Sequence, residues 1–134
     1  MAHFGTRSLI ELDTCDERLQ ALFFEVIEYF DCSILEGARS KDRQDEMLAQ
    51  GKSKLPWPLS KHNCPDGEPS RALDAAPYPV DWEDTARFYA FGGFVKGIAT
   101  RMGIPIRCGF DWDGDWSFKD QEFHDLGHFE LMED

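Results

Sequence analysis

Four side chains offer chemistry in this sequence: His62 in SKHN, Asp74 in SRALDAAPYP, Asp125 in DLGH and His128 in HFEL. A catalytic zinc site needs three nitrogen or oxygen ligands on stiff elements, an open position for water, and a carboxylate beside that water to take its proton. His62, Asp74 and His128 meet the first requirement, and Asp125, three residues before His128, meets the last. Two neutral imidazoles and one carboxylate would leave the ion with a net charge of about +1, enough to bring the pKa of bound water towards roughly 7. Asp125 would then serve as general base towards the water and as acid towards a leaving amine. On a straight strand residues three apart point to opposite faces, so the pair requires a bend. Gly127 lies between them and would supply it through a positive φ or a bulge.

Other groups are open to two readings. Asp111, Asp113 and Asp115 alternate in DWDGDW: they are candidate calcium ligands, or solvated acids around a hairpin turn at Asp113-Gly114, and the glycine is misplaced for an EF-hand loop. Trp112 and Trp116 either line a substrate groove or cover the sheet. His124 to His128 imitates HExxH, but Gly127 disfavours the helix that this motif requires.

The elements that must position these groups follow from periodicity. Leu19, Leu22, Phe23, Val26, Ile27 and Phe30 form one apolar helical face, with Thr14 and Glu17 ahead of them as a capping box. Cys32 to Leu35 reads as a short strand ending near Gly37, and a polar helix runs from Ser40 as cap to Gly51. Between Lys52 and Arg71, Pro56, Pro58, Pro65, Pro69 and Gly67 impose a long structured loop, of the kind that is usually functional. Ala72 to Ala76 is a buried strand. A third helix, capped by Asp81, buries Phe88, Phe91, Val95, Ile98 and Met102 and stops at Gly103, and Ile104 to Cys108 and Phe129 to Met132 are two further strands. This order predicts an α+β fold with a small, largely antiparallel sheet packed with about three helices.

The chain has 134 residues, with 14 Lys and Arg against 26 Asp and Glu, for a formal charge of −12. That length suits one domain spanning 1–134, and 42% apolar residues can fill its core without disulfide staples. The acidic balance excludes broad electrostatic binding to nucleic acid or to anionic membranes. Four cysteines without a CxxC pair read as free thiols in a reducing compartment. The opening residues lack an apolar run and a cleavage pattern, and no stretch approaches the roughly 20 apolar residues of a membrane span, so cytoplasmic synthesis is expected.

Together these motifs resemble the M15 zinc peptidases of the VanY and L-alanyl-D-glutamate peptidase type, which include many phage endolysins. Ser60, His62, Ala72 and Asp74 match that family's SxH and AxD motif, followed by APYP; Asp125, His128, Phe129, Glu130 and Leu131 match its second motif. IRCGFDWDGDW looks like its tryptophan-rich stretch, and GARSKDRQDEMLAQGKSK like the segment with its substrate-facing arginine. The spacing departs at one place: Asp74 follows His62 by twelve positions, with CPDGEP (64–69) as an insertion relative to the family's motif, and its prolines and glycine suit a segment that loops out.

The resemblance implies a hedgehog/DD-peptidase-like fold with zinc on His62, Asp74 and His128, Asp125 as catalytic acid/base, and Arg39 polarising the scissile carbonyl or binding a substrate carboxylate. Arg43, Ser60 and Trp112 are the further substrate-binding candidates. The implied activity is hydrolysis of the peptide stem of bacterial peptidoglycan at L-alanyl-D-glutamate, by a monomer reaching the wall after release. The alternatives are a D-alanyl-D-alanine carboxypeptidase or dipeptidase, a non-catalytic zinc-containing wall-binding module, and a calcium-regulated structural protein of a virus particle.

Overall fold

The computed structural model describes residues 2–116 and 125–132. They form helices α1 (Thr6–Asp13), α2 (Glu17–Ile27), α3 (Lys41–Ala49) and α4 (Thr85–Met102), and strands β1 (Cys32–Glu36), β2 (Ala72–Pro77), β3 (Ile106–Cys108) and β4 (His128–Leu131). The strands make one antiparallel sheet in the order β1-β2-β4-β3. The α+β expectation holds, with one helix more than the sequence suggested.

The extra helix is α1. Its apolar residues do not mark a buried stripe: Leu9 and Ile10 are exposed while Ser8 and Leu12 are buried, and its N-cap Gly5 offers no side-chain cap. Tertiary contact holds it instead, the Ser8 hydroxyl accepting from Ile34 N at 3.0 Å. Thr14 therefore closes α1 rather than capping α2, its hydroxyl donating to Glu11 O and accepting from Ala38 N. The cap of α2 is Asp16, whose carboxylate accepts from Arg18 N. Likewise Asp84, not Asp81, caps α4; Asp81 shapes the preceding turn by accepting from Glu83 N. Met102 is exposed at the last turn of α4, just before the left-handed Gly103.

On one side of the sheet α2 and α4 pack with the inward residues of every strand: Ile34 from β1, Leu73 and Ala75 from β2, Phe129 and Leu131 from β4, Ile106 and Cys108 from β3. Phe129 meets Phe23 and Phe91 edge-on at 5.5 and 6.0 Å, a favoured aromatic arrangement. Because side chains alternate along a strand, Asp74, His128, Glu130 and Arg107 are forced onto the opposite face. Glu36 would share the core face with Ile34, but the pairing of β1 slips by one residue between Ile34 and Glu36, which turns Glu36 over to stand opposite Asp74.

Residues 64–69 loop out as expected. Arg71 N donates to Lys61 O at 3.1 Å, closing the excursion at its base, and Pro65 to Pro69 are exposed. Gly127 departs from expectation, since its φ is not left-handed. It is required for proximity: its carbonyl accepts from Ala75 N at 2.8 Å, and a Cβ would lie 2.7 Å from the Ala75 carbonyl oxygen. Asp125 precedes β4 in a turn closed by His128 N on Asp125 O, so the opposite-face problem does not arise. Replacing Gly127 by Ala should therefore destabilise the protein by about 1–3 kcal/mol in urea unfolding; an unchanged midpoint would mean that this turn is not pressed against β2.

Candidate metal centre

Two cross-strand rows build the site. Glu36, Asp74 and His128 stand side by side on β1, β2 and β4, and Arg107 pairs with Glu130 on β3 and β4. The long loop brings His62 to the first row, because Arg39 N donates to His62 O at 2.7 Å where the chain leaves β1. His62 Nε2 and His128 Nδ1 each lie 3.3 Å from Asp74 Oδ1, so both imidazoles reach a common atom.

The outer nitrogen of each ring decides what the inner one presents. His62 Nδ1 lies 2.7 Å from the Gly37 carbonyl, which can only accept, so Nδ1 donates there and Nε2 is the atom turned towards Asp74. His128 Nε2 donates to Glu130 Oε1 at 2.8 Å, which leaves Nδ1 as the inward atom. His62 Nε2 is buried and has no hydrogen-bond partner. A buried nitrogen facing a carboxylate needs a proton or a cation between them, and the N, O, N donor set is the one zinc takes in catalytic sites. One atom from each of His62, Asp74 and His128 falls within 4.8 Å of the others, the spacing of a possible metal site.

The electrostatics agree. Burial alone would push Asp74 up, yet its two imidazole neighbours, His62 and His128, hold it well below the usual carboxylate range. His128 is raised to about 9: burial opposes this, and its bonds to Asp74 and Glu130 outweigh burial. Glu130 is lowered to about 2 against its burial, chiefly by His128 and then Arg107. Asp125 is raised, first by burial and then by the charge of Asp74. Its Oδ2 is 3.9 Å from His128 Nδ1, and its side chain is 40% exposed. Gly109 clamps its backbone from the end of β3, accepting from Asp125 N and donating to His128 O, both at 2.9 Å.

Arg39 lies at the floor with its side chain only 4% exposed. Its Nε and Nη2 donate to Glu36 Oε1 at 3.1 and 2.8 Å, its Nη1 donates to Gln44 Oε1 at 2.9 Å, and its Nη2 lies 3.6 Å from Asp74 Oδ2. Arg43 is half-exposed and leans on Glu36 Oε2 at 3.4 Å. The Ser60 hydroxyl accepts from His62 N at 3.2 Å. Trp112 stands beside the centre, its ring 5.4 Å from that of His128. These residues line a cleft of about 990 Å³ that His62, Asp74 and His128 also line.

Three residues that sequence reasoning passed over do much of the positioning. Glu130 was legible, since two residues on a strand share a face and His128 was already a candidate. Glu36 was hidden by the register slip. Gln44 gave no signal in a polar helix, yet it is fully buried: its oxygen accepts from Arg39 and Asn63, and its amide donates to Ser53 Oγ and Leu55 O, tying α3 to the long loop.

The aspartate cluster stands apart from the cleft floor. The turn falls one residue earlier than expected, centred on Trp112-Asp113 with Gly114 N donating to Asp111 O at 3.1 Å, and among the described residues it joins no strands as a hairpin would. Asp111 is buried, and its Oδ2 accepts from Lys96 Nζ and Trp116 N at 3.0 and 2.8 Å; Asp113 and Asp115 are exposed. Trp116 lies against Lys96 of α4 rather than in the cleft. His124 lies outside the described residues.

Comparison with known proteins adds three findings. Residues 1–132 match the family model described as phage L-alanyl-D-glutamate peptidase. The L-alanyl-D-glutamate peptidase of Escherichia phage T5 is 31% identical over 138 residues, covering 96% of this chain and 97% of that protein. The crystal structure of the L-Ala D-Glu endopeptidase ChiX of Serratia marcescens superposes with a TM-score of 0.74 at 24% identity, over 97% of this chain and 90% of that one, and shows the same fold.

The Glu130 bond gives a direct test of the centre. Glu130→Ala should weaken metal-ion binding at this cluster about 10- to 100-fold in chelator competition, with Glu130→Gln, which can still accept from Nε2, losing less. Equal affinities in all three proteins would remove Glu130 from the support of His128.

Proposed function

The chain belongs to the phage L-alanyl-D-glutamate peptidase family, and from that membership we propose that it hydrolyses the L-alanyl-D-glutamate bond in the peptide stems of bacterial peptidoglycan, with zinc held by His62, Asp74 and His128. The observation that carries this reading is the buried, unpartnered His62 Nε2 facing the carboxylate that His128 also faces. Zinc so held would lower the pKa of a water towards about 7 and polarise a carbonyl oxygen.

Asp125 does the proton work. Its raised pKa and its exposed edge suit a carboxylate that takes the proton of the attacking water and hands it to the amide nitrogen as the C–N bond breaks. Arg39 holds Asp74 Oδ2 and adds a fixed positive charge near the developing oxyanion. Ser60 holds the His62 turn at the cleft wall, while Arg43 and Trp112 take the flanking parts of the stem. Seven of the 14 Lys and Arg, namely Arg7, Arg39, Arg43, Lys52, Lys54, Lys61 and Arg107, line the cleft. The same lining holds five carboxylates, Glu11, Glu36, Asp74, Asp125 and Glu130, so the cleft is less acidic than the chain as a whole. Among the described residues no helix is long and apolar enough to cross a membrane.

Asp125→Asn should retain zinc and lose about 10²- to 10⁴-fold in kcat on purified peptidoglycan fragments. Turnover equal to that of the unmodified protein would remove Asp125 from the mechanism. Product masses decide the bond: new alanine carboxyl and glutamate amine ends support the endopeptidase, and free terminal D-alanine would support the carboxypeptidase instead. Zinc retention without any cleavage would leave a non-catalytic wall-binding module.

We also propose calcium at Asp111, Asp113 and Asp115, where one carboxylate oxygen from each lies within 4.8 Å of the others. The favouring observation is Asp111 Oδ1, buried and without a hydrogen-bond partner although Oδ2 is fully engaged. Calcium should raise the melting temperature, and Asp113→Asn should diminish the rise; no shift at about 1–10 mM calcium, the weak end of such sites, would dismiss the proposal.

A further inference from the structure

We infer that Arg107, set against Trp112, is the subsite that takes the carboxylate next to the scissile nitrogen; this rests on the L-alanyl-D-glutamate reading above. In such a bond the leaving nitrogen belongs to glutamate, so a carboxylate borne on the neighbouring carbon must lie within a few ångströms of the reacting centre. It needs a cation that the cleft exposes and that internal partners have not exhausted.

Arg39 does not fit, because its guanidinium is buried and shared among Glu36, Gln44 and Asp74. Lys61 is committed to Leu131 O and Glu130. Arg107 fits on three counts. Its neighbours Ile106 and Cys108 enter the core, so the alternation of β3 sends Arg107 out onto the site face. Its side chain is 45% exposed, and among the described residues only its Nη2 is engaged, donating to Glu130 Oε2 at 2.9 Å, which fixes the plane of the group. Its Cζ lies 5.5 Å from the Trp112 ring, and that ring lies 5.4 Å from His128. One indole thus spans the distance between the metal centre and the guanidinium. The indole also excludes water from one side, which strengthens a charged hydrogen bond made there.

The test compares two peptides that differ only at this group: the stem peptide with the free glutamate α-carboxylate, and its α-amide. The unmodified protein should favour the acid by about tenfold to a hundredfold in kcat/KM, mainly through KM. Arg107→Gln should bring the ratio near one, and Arg107→Lys should keep part of it. The ratio cancels any effect that the loss of the Glu130 contact has on the metal centre, because both peptides share that centre. An unmodified protein that treats acid and amide alike would overturn the inference, as would Arg107→Gln with an undiminished ratio, or loss of the ratio in Arg43→Gln instead. If the unmodified protein cleaves neither peptide, the functional reading fails separately, and calorimetric titration of both peptides still reads the subsite: equal affinities for acid and amide would overturn it.

Discussion

An ionised carboxylate and two imidazoles buried within van der Waals reach of one another are stable only when positive charge lies among them. Asp74 imposes this condition at the centre of the sheet. Its Oδ1 faces His62 Nε2 and His128 Nδ1 at 3.3 Å each, while Arg39 approaches its other oxygen. The outer nitrogens are locked by Gly37 O and Glu130, so neither ring can turn its inner nitrogen away without leaving a buried polar group unsatisfied. The geometry of the site follows from that constraint: three donor atoms are held in place where a proton or a metal ion can lie among them, and the nearby Asp125 is left as the part-exposed carboxylate with a raised pKa.

The fold meets this demand by dividing the sheet into two faces of opposite character. One face is apolar and sealed by α2 and α4, with Phe129 gripped between Phe23 and Phe91. The other carries Glu36, Asp74, His128, Glu130 and Arg107, and the long loop closes over one side of it. Glycines allow backbone approaches that no other residue permits: a Cβ at Gly109 would strike the Asp125 carbonyl at 2.1 Å, and one at Gly127 would strike that of Ala75. These approaches keep the turn bearing Asp125 against the sheet, beside Asp74 and His128.

Charge is distributed with the same economy. The chain is acidic by 12 charges, yet the cleft gathers half of its cations. Each deep cation is matched by a carboxylate: Arg39 by Glu36 and Asp74, Lys61 by Glu130. Arg107, which is not fully used in this way, stands at the rim beside Trp112. A buried cation paired inside the protein orients the site; an exposed one held by a single bond is available to a ligand.

Much of this was legible in the residues alone. The apolar period of α2, the polar helix after Ser40, the proline-rich loop, the stop at Gly103 and the strands around Asp74 and His128 are local matters of side-chain period and backbone allowance, and a sequence displays them directly. So do the candidate ligands, because zinc selects by residue type. The tertiary structure decided the remainder. α1 is held by Ser8 on β1 and not by its own pattern, the caps of α2 and α4 lie two and three residues from the expected positions, and Gly127 answers to the proximity of β2 and not to its own dihedral. Glu36 reaches the site only because one strand slips register, and Gln44 matters only because three separate segments meet around it. Such features depend on which distant atoms are brought within hydrogen-bond range. No sum of local preferences contains that information, because each of those distances is set by the whole chain at once.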